Sequence, residues 1–393
     1  MKKKVFAAII IAAGILTGCG NAPTGSPIQT LAPEPVATAD TTVVETPDPA
    51  LSSGEDTNKE FSVIKDRTVV DGKMQSYLTG EWKDEAVVKR RGMAVMIPNN
   101  KPALPQYGLS LASIVFEAPM ESGSCTRLMG IFEDYDDIER IGPVRSARDY
   151  FMYEALAYDA IYCNWGLAVP YVGPVINTDR VDNVSQAVSG IDSPSSEAFD
   201  RVSRSGYSLE FTGYLFTDGY EKAVKRHGYS TEYTNRFEQA FTFADDGCIA
   251  EYAGYPAATK IMPGGTASSS GGYNHTNPYF TYNADDGLYY RSQLNAPHKD
   301  EYNGEQIAVS NVVFKVCHGE IRDDHGYLAF GVHGTGNAYV FTNGKVIKGT
   351  WERKSDYEPN MFLNENGEEI IFNQGKTWVC IIWDQYESCI AYE

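Results

Sequence analysis

Long apolar runs, basic residues and ligand-spaced cysteines are all scarce in this chain. The apolar run at Val5–Leu16 stops after about a dozen residues, too short to span a bilayer as a helix. Lysine and arginine total 33 against 52 aspartates and glutamates, for a net charge of −19. That field opposes nucleic acid and anionic lipid surfaces, and so excludes nucleic acid as a partner. The cysteines show no Cys-x-x-Cys spacing and there is no paired-histidine pattern, which argues against a zinc centre. There is no Gly-x-Ser-x-Gly elbow and no credible Ser-His-Asp set. Gly334-Thr335-Gly336 lies in a β segment with no helix after it, so it is not a dinucleotide loop. Glu133-Asp134-Tyr135-Asp136-Asp137 lacks the central glycine and terminal glutamate of an EF-hand and reads as a solvated acidic turn. The six histidines are scattered, with His318 and His325 flanking an Arg-Asp-Asp turn on what reads as hairpin surface.

What is present begins at the N-terminus. Lys2, Lys3 and Lys4 precede the apolar run, and Leu16-Thr17-Gly18-Cys19 closes it. This arrangement resembles a bacterial lipobox, in which residues 1–18 form a signal peptide and Cys19 becomes the lipidated N-terminus. The expectation is a palmitate-type anchor holding the protein on the extracellular face of the cytoplasmic membrane, in a Gram-positive envelope. Loss of the leader removes three lysines and moves the net charge from −19 to −22. Residues 19–85 read as a flexible acidic stalk. The Pro/Thr-rich part up to about residue 60 is the clearest, with almost no large apolar residue between Leu31 and Phe61.

Beyond the stalk the pattern predicts an α+β protein. Residues 86–245 read as an α/β domain. Met93–Ile97, Ser113–Glu117, Leu128–Phe132 and Ala160–Cys163 are continuous apolar runs of the kind buried on both faces. Arg145–Tyr158 and Gly219–His227 carry helical spacing. Residues 246–393 read as a small antiparallel β domain. Its strands are expected at Tyr279–Tyr282, Leu288–Arg291, Val309–Val316, Tyr327–Val332, Ala338–Phe341, Val346–Trp351 and Thr377–Trp383, separated by Asp-Gly and Asn-Gly turns. Gly264–Gly272 reads as a loop.

The densest polar signal is Glu139–Tyr150. Arg140, Arg145 and Arg148 lie there, with Arg127 on the strand before, and Arg201 and Arg204 follow later. Arg145 and Arg148 are placed on one face of a first helical turn, where guanidinium forks and backbone amides would suit phosphate or carboxylate. The competing reading pairs these arginines with Glu121, Glu133, Asp136, Asp137 or Glu139. Two readings also stand for Tyr289, Tyr290, Trp351, Tyr357, Trp378 and Trp383: a glycan-binding face or the core of the β domain. Tyrosine is frequent, 26 of 393 residues, which fits polar-ligand binding and strand formation alike. Six cysteines follow Cys19. Cys125, Cys163, Cys317 and Cys380 lie in strand-like runs and read as buried free thiols, while sequence alone leaves any pairing open.

Several blocks together resemble the YerB-like lipoprotein family. They are Met93–Ile97, Pro102 through Ser110, Ser113–Ala118, Thr126–Phe132, the signature Ile141–Arg148 and Tyr158–Tyr162. In the β half they are His298-Lys299-Asp300, Asn311-Val312-Val313, Gly334–Lys345, Gly349-Thr350-Trp351 and Gly375–Trp378. The resemblance covers about residues 85–385 and implies two domains and a lipid anchor, with no established activity. Asn164–Ala168 and Ser205–Glu210 depart from the family pattern. A shorter, gapped likeness to the LytR-CpsA-Psr phosphotransferases implies an alternative. There Arg127, Arg145, Arg148, Arg201 and Arg204 would clamp a pyrophosphate, with Asp149 as the nearest acid and a divalent metal as cofactor. The leading expectation needs no cofactor: a non-catalytic envelope module that binds a cell-wall polymer, a lipid-linked phosphate or a protein partner.

Overall fold

The computed structural model describes residues 60–266 and 271–393, with the backbone of Ser52–Ser53. The leader, the Leu16–Cys19 signal, the rest of the segment before residue 60 and residues 267–270 of the Gly264–Gly272 loop lie outside the described residues. No described helix is long and apolar enough to cross a membrane.

Ten strands form the central sheet. They are β1 (Met93–Pro98), β2 (Ile114–Pro119), β3 (Thr126–Phe132), β4 (Ile161–Trp165), β5 (Asn183–Gln186), β6 (Asn311–Cys317), β7 (Gly334–Thr342), β8 (Lys345–Arg353), β9 (Met361–Asn364) and β10 (Thr377–Trp383). Their spatial order is β9-β8-β7-β6-β10-β2-β3-β1-β4-β5. β10 lies parallel to β6 on one side and to β2 on the other, with Cys380 opposite Phe314 and Glu117. The sheet therefore runs without a break from the first half of the chain into the second. The β half is mostly antiparallel, but its last long strand joins by parallel pairing.

Side-chain alternation builds a core on each face. Ala94, Met96, Ile114, Phe116, Val379 and Ile381 face one core. Val95, Ile97, Val115, Trp378, Cys380 and Ile382 face the other. Helices α1 (Asp149–Leu156) and α2 (Val169–Ile176) cover the first face through Tyr150, Phe151, Val172 and Ile176. Helix α3 (Thr217–His227) and a smaller antiparallel sheet (Lys260–Met262, Tyr279–Asn283, Leu288–Gln293) cover the second through Tyr220, Val224, Ile261, Phe280 and Tyr289. Apolar runs buried on both sides follow directly. The α+β class expected from the sequence holds.

Two expectations are corrected. Residues 60–85 are folded: Ile64, Met74 and Leu78 are buried, Lys73–Gln75 pairs with Trp82–Asp84, and Ser76 donates to the Glu133 carboxylate. The stalk reading extended too far because those apolar residues are isolated and carry no periodicity. The helix expected from Arg145 starts at Asp149. The Arg145 amide donates to Met96 O at 2.9 Å and the Ala147 amide to Gly166 O at 2.8 Å, so these donors already serve strand-like bonds. Arg145 and Arg148 consequently do not share a helical face; Arg148 is the extended residue before the helix. Of the two readings of the aromatic row, the core reading holds for most of it. Tyr289, Trp351, Trp378 and Trp383 are buried, which leaves Tyr290 and Tyr357 half-exposed. Cys125, Cys163, Cys248, Cys317 and Cys380 are free thiols. Four are buried, but Cys125 and Cys389 are half-buried, and Cys125 stands just before its strand.

Candidate functional site

The signature segment crosses the end of β1 as extended chain, and its carbonyls organise the arginines. β3 lies between β1 and β2 and places Arg127 opposite Pro98 and Ala118. Arg127 is buried and donates Nη1 to Ser146 O at 2.7 Å. Arg148 donates to Ala147 O at 2.8 Å and reaches the same Ser146 carbonyl at 3.5 Å. Arg148 also pairs with Glu121 and lies 5.2 Å from the Tyr327 ring centre. Arg145 pairs with exposed Glu210 and lies 5.6 Å from the Phe211 ring. Arg201 is 4.6 Å from the Trp165 ring and donates to Thr212 Oγ1 at 3.1 Å and to Leu209 O.

Arg140 and Arg204 belong elsewhere. Arg140 pairs with Glu139 at 2.9 Å and lies 4.2 Å from the Tyr107 ring. Arg204 pairs with Glu301 at 3.0 Å, donates to Pro105 O and lies 3.8 Å from the Tyr207 ring. Both arginines act on Tyr214, whose hydroxyl burial pushes up to about 12 against their pull. The six arginines thus split into Arg127, Arg145, Arg148 and Arg201 around the signature carbonyls and Trp165, and Arg140 with Arg204 around Tyr214.

The competing ion-pair reading holds in part. Of the five neighbouring acids, Glu121 takes Arg148 and Glu139 takes Arg140. Glu133 instead serves Lys83 and the hydroxyls of Ser76 and Ser113, and Asp136 serves Arg90. Glu210 and Glu301, which come from far along the chain, hold Arg145 and Arg204. Among the described residues no carboxylate lies within 4 Å of the guanidinium of Arg127 or of Arg201, and of these two only Arg127 is buried. Burial lowers the proton affinity of both Arg127 and Arg145, and Arg127 depresses Arg145 further by like-charge repulsion. Arg127 and Arg145 are thus two interacting like charges that share one exposed carboxylate, Glu210, in an acidic protein. Guanidinium groups in such a setting are suited to charge-assisted hydrogen bonds with an anion.

Of the segments expected to depart from the family pattern, Trp165 packs on Arg201 and Glu210 pairs with Arg145, while Tyr207 packs on Arg204. The Asn164 side chain donates to Gly166 O at 2.7 Å and accepts from Ser185 at 2.8 Å. Trp165 leaves no room for a side chain at Gly213, where a Cβ would meet its ring at 2.5 Å. Tyr207 donates to Leu104 O at 2.8 Å. Asp149, the acid nearest the signature, is paired with Arg322 at 2.7 Å. No group of three metal-ligating side chains occurs among the described residues.

Sequence reading missed two buried charge networks, one on each face of the sheet. On one face Glu117 receives Arg291 at 3.0 Å, Trp378 at 3.1 Å, Asn99 at 3.0 Å and Thr126 at 2.7 Å. Arg291 also donates to His298 Nδ1 at 2.6 Å, and His298 Nε2 then donates to Gln106 at 2.7 Å. On the other face Glu154 receives Lys315 at 2.7 Å, Asn360 at 2.8 Å and Arg353 at 3.3 Å. A signal for the first network lay in the block His298-Lys299-Asp300. Asp300 accepts from the amides of Gly108 at 2.8 Å and Ser110 at 2.6 Å, which belong to another of the quoted blocks.

Comparison with known proteins matches residues 78–230 to the family described as "Protein of unknown function (DUF3048) N-terminal domain". Residues 270–379 match its C-terminal domain. A relative is the Bacillus subtilis (strain 168) protein called "Putative lipoprotein YerB", 27% identical over 315 residues, covering 79% of this chain and 87% of that protein. The crystal structure of YerB protein from Bacillus subtilis superposes with a TM-score of 0.64 at 23% identity, over 81% of this chain and 99% of that one, and supports the fold.

Proposed function

This chain belongs to the YerB-like family with the two DUF3048 domains, and from that premise we propose a lipid-anchored envelope protein that binds an anionic wall component without catalysis. The anchor is the lipid on Cys19, and the protein works at the extracellular face of the cytoplasmic membrane. The binding site is the Arg127–Arg145 pair, flanked by Arg148 and Arg201; Arg140 and Arg204 are outside it. One observation carries this reading. Arg127 is buried next to a second guanidinium with no carboxylate within 4 Å among the described residues. A buried cation without a counter-charge costs several kcal/mol, and a bound phosphate or carboxylate offsets that cost. Lipid-linked phosphates and phosphate-bearing wall polymers are anions of the right chemistry at a membrane–wall boundary.

No observation raises the LytR-CpsA-Psr-like phosphotransferase reading to the same level, since Asp149 is engaged by Arg322. The test is calorimetric titration of the full chain with inorganic pyrophosphate and with a poly(glycerol phosphate) polymer. Arg127→Gln and Arg145→Gln are each expected to weaken binding at least tenfold, and Arg140→Gln to leave it unchanged. Equal affinity across all three variants would remove the site. Magnesium-dependent release of phosphate from a lipid pyrophosphate would replace a binding role with an enzymatic one.

A further inference from the structure

We propose a second binding site, distinct from the arginine pair, that takes a carboxylated saccharide. It lies in the cleft between the Gly108–Leu111 turn and the edge of the smaller sheet. The cleft has a volume of about 810 Å³, and Tyr290, Lys299, Asn303, Glu305, Gln306 and Lys376 line it. That volume is within the range of small-ligand pockets.

Its walls are fixed by bonds already made. Asp300 holds the amides of Gly108 and Ser110, while Lys376 Nζ donates to Ser110 O at 2.6 Å. The Tyr290 hydroxyl donates to Asp286 at 2.6 Å, which anchors the ring at the cleft. The Gln306 amide nitrogen donates to Arg291 O at 2.8 Å, which holds the carboxamide in place. Such pre-ordered polar groups lose little freedom when a ligand arrives.

The charge pattern selects the ligand. Neither Lys299 nor Lys376 has a carboxylate within 4 Å among the described residues, in a chain of net charge −19. Glu305 accepts from Asn303 at 3.1 Å. Burial is the main cause that lowers the proton affinity of Lys376, with Lys83 adding to it and Glu81, Asp300 and Glu305 opposing. A ligand carboxylate between the two ammonium groups supplies the missing counter-charge. Of the other lining side chains, two carboxamides and one carboxylate match hydroxyl groups, and the tyrosine ring, with Leu111, Leu288, Pro297 and Ala308 beside it, matches the C–H face of a sugar ring. Compact ammonium groups without an arginine fork fit a single carboxylate.

The experiment is calorimetric binding of the full chain to trigalacturonate, with maltotriose as the neutral match and triglutamate as the acidic peptide match. Trigalacturonate is expected to bind and maltotriose to bind at least tenfold more weakly. Lys299→Met and Lys376→Met should each lower the trigalacturonate affinity at least tenfold, and Tyr290→Ala about fivefold. Arg127→Gln should leave it unchanged, which separates this site from the arginine pair. Lys299 is exposed, so its variant stays informative if Lys376→Met fails to fold. No trigalacturonate binding, equal binding of maltotriose, tighter binding of triglutamate, or full affinity in Lys299→Met would each overturn the site.

Discussion

Glu154 sits fully buried between two cations, Lys315 and Arg353. Burial works against its charge, yet Lys315, Arg353 and Asn360 hold its carboxyl below the usual range. Glu154→Gln therefore strands two buried cations and is expected to cost about 3–5 kcal/mol, read as a lower urea midpoint. The paired change Glu154→Leu with Lys315→Met should cost less than Glu154→Gln alone, because it removes one of the stranded charges. His298 gives the opposite kind of residue. Its imidazole is neutral and buried, and burial first and Arg291 second push its pKa well below 6.5. Below pH 6.5 the unfolded chain binds a proton at this site that the folded chain does not. Stability thus falls as the pH drops from 6.5 toward the depressed folded value, by about 1.4 kcal/mol per pH unit for one proton. Glu154 acts in the same direction at lower pH: its contribution is complete above about 4.5, its unfolded value, and is lost as pH falls through the lower folded value. His227 and His333 are also depressed by burial and add the same sign. The diagnostic is therefore a difference: His298→Gln should flatten the dependence of the unfolding free energy on pH between 5 and 6.5 by one proton. An unchanged slope would mean that His298 titrates equally in both states.

At the scale of elements, helix α3 shows how a local rule is overridden. Glycine inside a helix normally costs up to about 1 kcal/mol relative to alanine. Gly219 is the exception, because an added Cβ would lie 2.1 Å from Glu197 O and 2.7 Å from Ala198 Cα, both backbone atoms. Gly219→Ala is expected to destabilise by about 1–3 kcal/mol through forced separation of α3 from the Ser196–Ala198 turn, and thermal melts would show it. A gain in melting temperature would mean that the turn yields freely. The same contrast explains what could be read from sequence. Thr377–Trp383 matches its expected bounds and Met93–Ile97 is one residue short, since a strand buried on both faces writes an unbroken apolar run. The start of α1 was not legible, because the amides of Arg145 and Ala147 are claimed by Met96 and Gly166, residues remote in sequence. The arginine cluster was visible as composition, but its division was not. Glu210 and Glu301 lie 65 and 97 positions from the arginines they hold, and no spacing rule reaches that far.

At the scale of the whole molecule, the last long strand decides how the two family domains depend on each other. β10 is inserted between β6 and β2, so the N-terminal half ends at an open sheet edge unless residues 377–383 are present. The edge strand β2 would then expose Ile114, Phe116 and Ala118, all fully buried in the intact chain. Glu117 would lose Arg291 and Trp378, and Glu154 would lose Lys315 and Arg353, which leaves two carboxylates in the core without their cations. Both losses fall on the same half at once, and each is of the size that unfolds a marginal domain. A fragment ending at residue 245 is accordingly expected to be unfolded or aggregated, even though it contains the whole N-terminal family match. The intact chain should unfold in one transition. Trp82 and Trp165 report on the first half, and Trp351, Trp378 and Trp383 on the second. Tryptophan fluorescence and far-UV circular dichroism should therefore trace coincident urea curves. Two separated transitions, or a dispersed amide spectrum from the fragment, would show that the shared sheet is a contact between independent domains. Coincident curves from the intact chain and collapse of the fragment would show that one sheet makes a single folding unit of the two family domains.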